Sequence, residues 1–462
     1  MKPQTKLSFL NALLLVASLF IAVISCQKEA KEKFRNEEIA TPANNNNGNG
    51  HLQQTKTFPA DVVMRWLNMQ LDMLRVPLAP GTGSQAADRA LAYCGIAAYE
   101  SVVPGMPAYQ SLANQLNGFP EMPSTEPGKA YHWAACANAA LAEMNRRLFP
   151  TTSAANKTAI DNLENTLNTS YAGETNAATL QRSVEFGKEV ATRVFVWAAL
   201  DGSANVNPPY VPPVGPGLWV STPPNFPAAV NPYISQRRQM VTGSYNGAAS
   251  APPPAYSTDP SSEFYLMVKN VYDKSLTLTP EQTAMAIYHR DAPGYPGGGT
   301  FSAILFQVIE KAECKLDVAA LAYAKLGIGA YEALAFAFIN KYTYNLVRPI
   351  TYIRAVMGHT SWNALFNTPG HPEFPAAHAT SGGVVATILT DVFGENFSFT
   401  LNHYQYIGLP ARNYQSFEEL GLEMGNSRVF AGIHYQPSVD KGLMMSKKVC
   451  NNILSKLKFL KE

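Results

Sequence analysis

Three short blocks between residues 341 and 442 carry cationic and imidazole groups of the kind that grip a tetrahedral oxyanion. The first is Lys341-Tyr-Thr-Tyr-Asn-Leu-Val-Arg348-Pro349, the second His371-Pro-Glu-Phe-Pro375-Ala-Ala-His378, the third Ser427-Arg428-Val-Phe-Ala-Gly-Ile-His434. Lysine supplies a compact point charge and arginine a planar donor fork, both suited to anionic oxygens. Lys341 and Arg348 are seven positions apart, two turns along one helix face. Pro349 biases Arg348 out of the helical region, so a helix delivering Lys341 is expected to stop at Arg348 and let its guanidinium reach sideways. His378 precedes the small and apolar run 379–393, which reads as a buried helix. At a helix N-terminus, free backbone N–H groups and the dipole favour an anion. Arg428 and His434 are six apart, on different faces of a straight helix, and Gly432 supplies a break that lets both face one pocket. Ser438 after Pro437 reads as the N-cap of a last helix, with Asp440 in its first turn. A lone Lys/Arg pair is ordinarily a solvated face and a lone histidine a satisfied structural one. Three ordered blocks within about a hundred residues outweigh that expectation.

Lys-x6-Arg-Pro, then Pro-x-x-His, then Ser-Arg-x5-His resembles the signature of the vanadium-dependent haloperoxidases. Type-2 phosphatidic acid phosphatases and bacterial acid phosphatases share that site. The resemblance implies that Lys341, Arg348, Arg428 and the Ala377 N–H hold vanadate or phosphate oxygens. It makes His434 the vanadium ligand, or the nucleophile of a phosphatase, and His378 the acid–base group. The implied cofactor is vanadate, with phosphate able to take the same site. The implied reactants are hydrogen peroxide, halide and a small organic substrate, or else a phosphate ester. Three departures bear on this. Family members usually carry Pro-Ser-Gly-His where this chain has Pro375-Ala376-Ala377-His378, so a hydroxyl donor is missing and a Cβ is added. The fourth position after the last histidine often holds Asp; here it is Ser438, which leaves open what orients His434. His371, seven before His378, occupies a position that is aromatic in chloroperoxidases and histidine in many bromoperoxidases. It leans towards bromide or iodide, against an equal alternative of a loop histidine without a role. A donor lost from a transition state can cost about 3 kcal/mol. An inactive oxyanion-binding homologue therefore stands third, after haloperoxidase and phosphatase.

The elements that must position these residues are helices. Helical periodicity marks 60–74, 84–102, 129–148, 153–167, 177–200, 262–272, 300–312, 316–344, 350–357, 417–431 and 439–457, while strand alternation is scarce. Thr279-Pro-Glu-Gln282 reads as a capping box opening another helix, with His289 and Asp291 at its end before a Gly-rich turn; alone, His289 is more often a surface histidine. The expected class is all-α: a large helical domain built on four-helix-bundle packing, with long Pro-rich loops. Repeated prolines forbid regular helix over 201–260, where Trp219 and Phe226 either pack on the helices or line a pocket. Residues 401–414 are polar and aromatic and read as a loop near the pocket mouth.

Residues 1–26 read as a secretion signal ending in the lipobox Val23-Ile24-Ser25-Cys26, with Cys26 the lipidated residue. Residues 27–57 are too polar to offset their ordering entropy and read as a tether, and 58–462 as one large domain. The expectation is an exported bacterial lipoprotein at the outer membrane, its periplasmic face or the cell surface, meeting the membrane through its lipid only. A net charge of +2 argues against a general nucleic-acid surface. Cys94, Cys136, Cys314 and Cys450 form no Cys-x-x-Cys pair and suggest no zinc site; Cys94 and Cys136, in Ala-rich runs, read as buried free thiols.

Overall fold

A computed structural model describes residues 53–74, 86–290 and 299–462. The signal segment, Cys26, nearly all of the tether and Asp291 lie outside these residues. The fold is all-α, with two short strands beside the helices.

The N-terminal half supplies α1 (Asp61–Leu74), α2 (Ala87–Val102), α3 (Trp133–Leu148), α4 (Ala154–Ala172) and α5 (Ala177–Ala199). Polar caps start three of them: His132 accepts the Ala135 N–H, Ser153 the Asn156 N–H, and Asn176 the Thr179 N–H. The C-terminal half supplies α6 (Glu263–Leu276), α7 (Pro280–Tyr288), α8 (Thr300–Ala312), α9 (Leu316–Tyr344), α10 (Pro349–Ala355), α11 (Ala377–Phe393), α12 (Phe417–Phe430) and α13 (Gln436–Lys456). The Thr279–Gln282 capping box opens α7 as expected.

The axis is α9, which is apolar all round and buried along most of its length. It is long and apolar enough to cross a bilayer, yet it packs on α2 on one side and on α11 and α13 on the other. With α12 added, α9, α11 and α13 form the four-helix set that holds the site. Glycine permits a close crossing within this set: a Cβ on Gly382 of α11 would lie 2.4 Å from the Gly421 carbonyl oxygen of α12.

Four local expectations need correction. Helix α9 spans 316–344 as its periodicity predicts, but it stops at Tyr344 and not, as the Pro349 argument has it, at Arg348, because Asn345 turns left-handed (φ 46°) and caps it; Arg348 is instead the N-cap of α10. Ser438 does not cap α13, which begins at Gln436 after Tyr435; its side chain, inside the first turn, is free to bond elsewhere. Residues 401–414 are not wholly loop. Their ends pair as β1 (Phe399–Leu401) and β2 (Arg412–Tyr414), a three-residue ladder with Phe399 opposite Tyr414, too short for alternation to reveal. Phe226 does not pack on the helices but is 63 % exposed, whereas Trp219 is buried.

The Pro-rich segment is held by backbone and carboxylate bonds. Gly217 accepts the Val347 N–H at 2.9 Å, Asn345 the Trp219 N–H at 2.6 Å, and Gly370 the Val230 N–H at 2.8 Å. Further on, Glu332 of α9 takes the Met240 and Val241 N–H groups and the Ser244 hydroxyl. Cys94, Cys136 and Cys450 are buried free thiols, and Cys314 is a half-buried one.

Candidate functional site

The first block arrives from two elements. Lys341 lies in the last turn of α9 and is fully buried. Its Nζ donates to the carbonyls of Pro372 (2.9 Å) and Glu373 (3.0 Å). Burial, then the neighbouring Arg348 charge, push the ammonium well below the usual lysine range. Arg348 is fully buried at the N-cap of α10. Its Nε donates to His371 O (2.9 Å), Nη1 to Ile433 O (2.7 Å) and to His434 Nε2 (3.2 Å), and Nη2 to His371 Nδ1 (3.0 Å). Burial lowers this guanidinium to about 10.

These contacts assign the imidazole tautomers, because arginine can only donate. His434 Nε2 must accept, so its proton is on Nδ1, where Glu373 Oε1 accepts it at 2.9 Å. His371 Nδ1 likewise accepts from Arg348, so its 3.1 Å approach to the Pro372 carbonyl is a contact without a proton between. Burial and the surrounding cations hold both rings well below the ordinary histidine range. Glu373, fully buried, also accepts the Tyr435 N–H (2.8 Å) and the Ser438 hydroxyl (2.5 Å). Burial raises its carboxyl to about 7 against the pull of these donors and of Arg348 and Lys341.

The second and third blocks meet through His289, the C-cap of α7. Its carbonyl accepts from Arg428 Nη1 at 2.7 Å, and the His378 ring hydrogen-bonds its backbone. The Arg428 guanidinium also lies over the Phe366 ring, 5.1 Å from its centroid. His289 is therefore no surface histidine: it is buried, and its Nε2 lies 3.0 Å from Glu423 of α12. Arg412 and Tyr414 of β2 bond the same carboxylate at 2.6 and 2.7 Å. His378 is the second residue of α11, whose first turn has no side-chain cap. Burial, then the charge of Arg428, hold His378 well below the ordinary range. Ala377 and His378 nevertheless keep accessible surface that Lys341, Arg348, Arg428 and His434 lack.

The chain thus brings Lys341, Arg348, His371 and His434 into one bonded group, and links Arg428 and His378 through one carbonyl. The two groups feel each other's charge: Arg428 depresses both Arg348 and His434, and Lys341 depresses His378. Three buried cations converge, and the Glu373 carboxylate lies among them, bonded to His434 and close enough for Arg348 and Lys341 to pull on its charge. Buried charge needs a counter-charge, so this donor set fits a multiply charged oxyanion in both charge and hydrogen-bond sense. Ala377 opens α11 one residue before His378, which feels the charges of Arg428 and Lys341, so the free N–H groups of this helix start lie near the cations. A polar cavity of about 560 Å3 beside the hairpin, walled by Gln307, Lys311, Asn402 and Tyr414 among others, contains none of these groups.

Sequence reasoning missed Glu373, His289 and Glu423 as parts of the site. Glu373 stands inside the second block as its one acidic residue, which was a usable signal. Glu423 lies five before Arg428 and shows its partner only in three dimensions.

The family described as the VCPO second helical-bundle domain matches residues 322–461. A solved structure titled as the first bacterial vanadium-dependent iodoperoxidase is similar over 89 % of this chain and 99 % of its own, with 27 % identity and a TM-score of 0.79. Apo and holo structures of a bacterial vanadium-dependent chloroperoxidase share the fold at 15 % identity. The apo form has a TM-score of 0.62 over 84 % of this chain and 97 % of its own, the holo form 0.57 over 89 % and 95 %. No curated protein matches the chain.

Proposed function

We propose, for a chain that belongs to the vanadium haloperoxidase superfamily, the oxidation of halide by hydrogen peroxide at a vanadate held by His434. The observation that carries the reading is the convergence of buried positive charge: Lys341, Arg348 and Arg428 all act on His434, whose Nε2 accepts from Arg348 and whose Nδ1 is held by Glu373. When bound, vanadate supplies the electron-poor centre at which peroxide becomes reactive towards halide.

The chain's own groups do the rest. His434 offers an unprotonated Nε2, beside Arg348, as the ligand atom. Lys341 spends two of its three N–H bonds on the Pro372 and Glu373 carbonyls, which leaves the third to donate to an oxyanion or peroxide oxygen. Arg348 and Arg428 balance the remaining negative charge. His378 is neutral at rest and is the part-exposed member of the group, so it can take a proton from an entering peroxide and return it to a leaving oxygen. Burial of the cations excludes bulk water, which strengthens every one of these interactions.

Bromide or iodide is the proposed halide. His371 is fixed between Arg348 and the edge of Phe338, 5.1 Å between centroids, so it is a buried member of the site and not a free loop residue. The 27 % identical relative is titled an iodoperoxidase, which supports the softer halides. The lipobox extends the proposal to an exported enzyme held at a membrane through Cys26.

The test loads the purified chain with orthovanadate and follows peroxide consumption with iodide, bromide and chloride, beside phosphomonoester hydrolysis. Vanadate-dependent turnover of iodide or bromide is expected, lost in His434→Ala. Phosphomonoester turnover without vanadate would make the chain a phosphatase, and phosphate binding without either turnover would make it an oxyanion binder.

A further inference from the structure

We propose that Glu373, held by Ser438, is the positioning residue of His434: it fixes the ring so that Nε2 presents its lone pair to an oxyanion centre. The proposal rests on the function argued above but is read from different atoms. Four bonds define it. Glu373 Oε1 accepts from His434 Nδ1 at 2.9 Å and from the Tyr435 N–H at 2.8 Å. Glu373 Oε2 accepts from the Ser438 hydroxyl at 2.5 Å. The main chain of Glu373 is pinned on both sides, its N–H to Leu346 O at 2.9 Å and its carbonyl by Lys341 at 3.0 Å. His434, Glu373 and Ser438 are each 3 % exposed or less, so water does not compete for any of these groups.

The residue four after His434 is a serine and cannot itself supply an anionic acceptor to Nδ1. Here the carboxylate comes from the loop before α11, and the serine in the first turn of α13 serves as its donor. A carboxylate on Nδ1–H does two things to the ring. It excludes the other tautomer, and it makes Nε2 a stronger electron-pair donor. Glu373 also lowers the positive charge seen by any anion, because its carboxylate lies within reach of Arg348 and Lys341.

These two effects oppose each other for different ligands, and that gives the test. Orthophosphate is held by charge and hydrogen bonds, whereas vanadate needs the Nε2 electron pair as well. In the full chain, Glu373→Gln can keep the hydrogen bonds but removes the charge. Vanadate binding, followed by 51V NMR, should weaken at least tenfold, while orthophosphate should bind as tightly as before or more tightly. Ser438→Ala, which keeps the charge and removes one donor, should weaken vanadate severalfold and leave phosphate unchanged. It carries the test if Glu373→Gln does not fold. Equal weakening of both anions would reduce Glu373 to a structural role and overturn the proposal, as would no change in vanadate. A third measurement is independent of vanadate: 15N shifts of the His434 ring in the wild type should place the proton on Nδ1. A proton on Nε2 overturns the proposal even if halide oxidation is found. Conversely, a wild type with Nδ1 protonated that binds phosphate but no vanadate keeps the positioning role and removes the haloperoxidase reading.

Discussion

Replacing Ala376 with serine should have two separable effects, because the position is both a helix cap and a neighbour of the oxyanion group. Ala376 has φ −73° and ψ 119°, the extended geometry of an N-cap, yet nothing on its side chain can bond the first turn of α11. Two caps in the same chain show the missing bond: Ser153 accepts from Asn156 at 3.1 Å, and Ser262 from Tyr265 at 3.2 Å. A serine at 376 would accept from the Ala379 N–H in the same way, and such caps contribute about 1 kcal/mol. The hydroxyl proton is still available, and a neutral donor to an oxyanion oxygen contributes about 1 kcal/mol net, or roughly fivefold in affinity. Denaturant unfolding without any anion reads the first effect, and a vanadate titration reads the second. Ala376→Ser should unfold about 1 kcal/mol less readily, bind vanadate roughly fivefold tighter and oxidise bromide faster. The position is fully buried beside Phe374, Ala379 and Val439, so a hydroxyl finding no partner would lower stability instead. Lower stability, or no change in either measurement, refutes the cap geometry. Greater stability with unchanged vanadate affinity shows that a capping hydroxyl does not face the anion.

Two further predictions concern other parts of the chain. Burial alone would raise the Glu423 carboxyl, but bonds from His289 and Arg412 outweigh it and bring it from 4.5 to about 2. A carboxyl depressed by folding stabilises above its unfolded pKa and loses that stability as pH falls through its folded one. Stability should therefore fall between pH 4.5 and about 2, with Glu423 accounting for about 2 kcal/mol after allowance for its partial solvent contact. Glu423→Gln should show a correspondingly shallower loss in acid unfolding curves, and an unchanged slope would place the acid lability elsewhere. Cys26→Ala should release the protein from membranes; fractionation with membranes as before would dismiss the lipid anchor.

How much of this was legible in the sequence depended on whether a residue's partner lay nearby in the chain. The long helices were readable because α9 and α11 are continuous apolar runs, and the α7 cap because its four residues contain the whole interaction. Lys341, Arg348, Arg428 and His434 could be picked out because three blocks keep a fixed order and spacing. Periodicity placed the end of α9 at residue 344, but the proline argument put it four residues later, because a left-handed asparagine stops the helix before the proline can. Ser438 looked like a cap because Ser after Pro is a local cap pattern, but its partner, Glu373, is 65 residues away. The same distance effect hid His289, whose importance comes from a carbonyl contacted by residues far along the chain.

The Pro-rich segment grips both irregular stretches that present Arg348 and His371, and it does so through main-chain N–H and carbonyl groups at Gly217, Trp219 and Val230. Main-chain bonds do not depend on which side chain leaves the same residue. The outward-facing positions, Val220 at 43 % and Phe226 at 63 % exposure, can therefore be rewritten without loosening the bracket behind them. Mechanical support and surface character are thus encoded in different atoms of one loop. The exposed face of the segment could change from one lineage to the next while the stretches behind it, which carry Arg348 and His371, inherit the same stiffness.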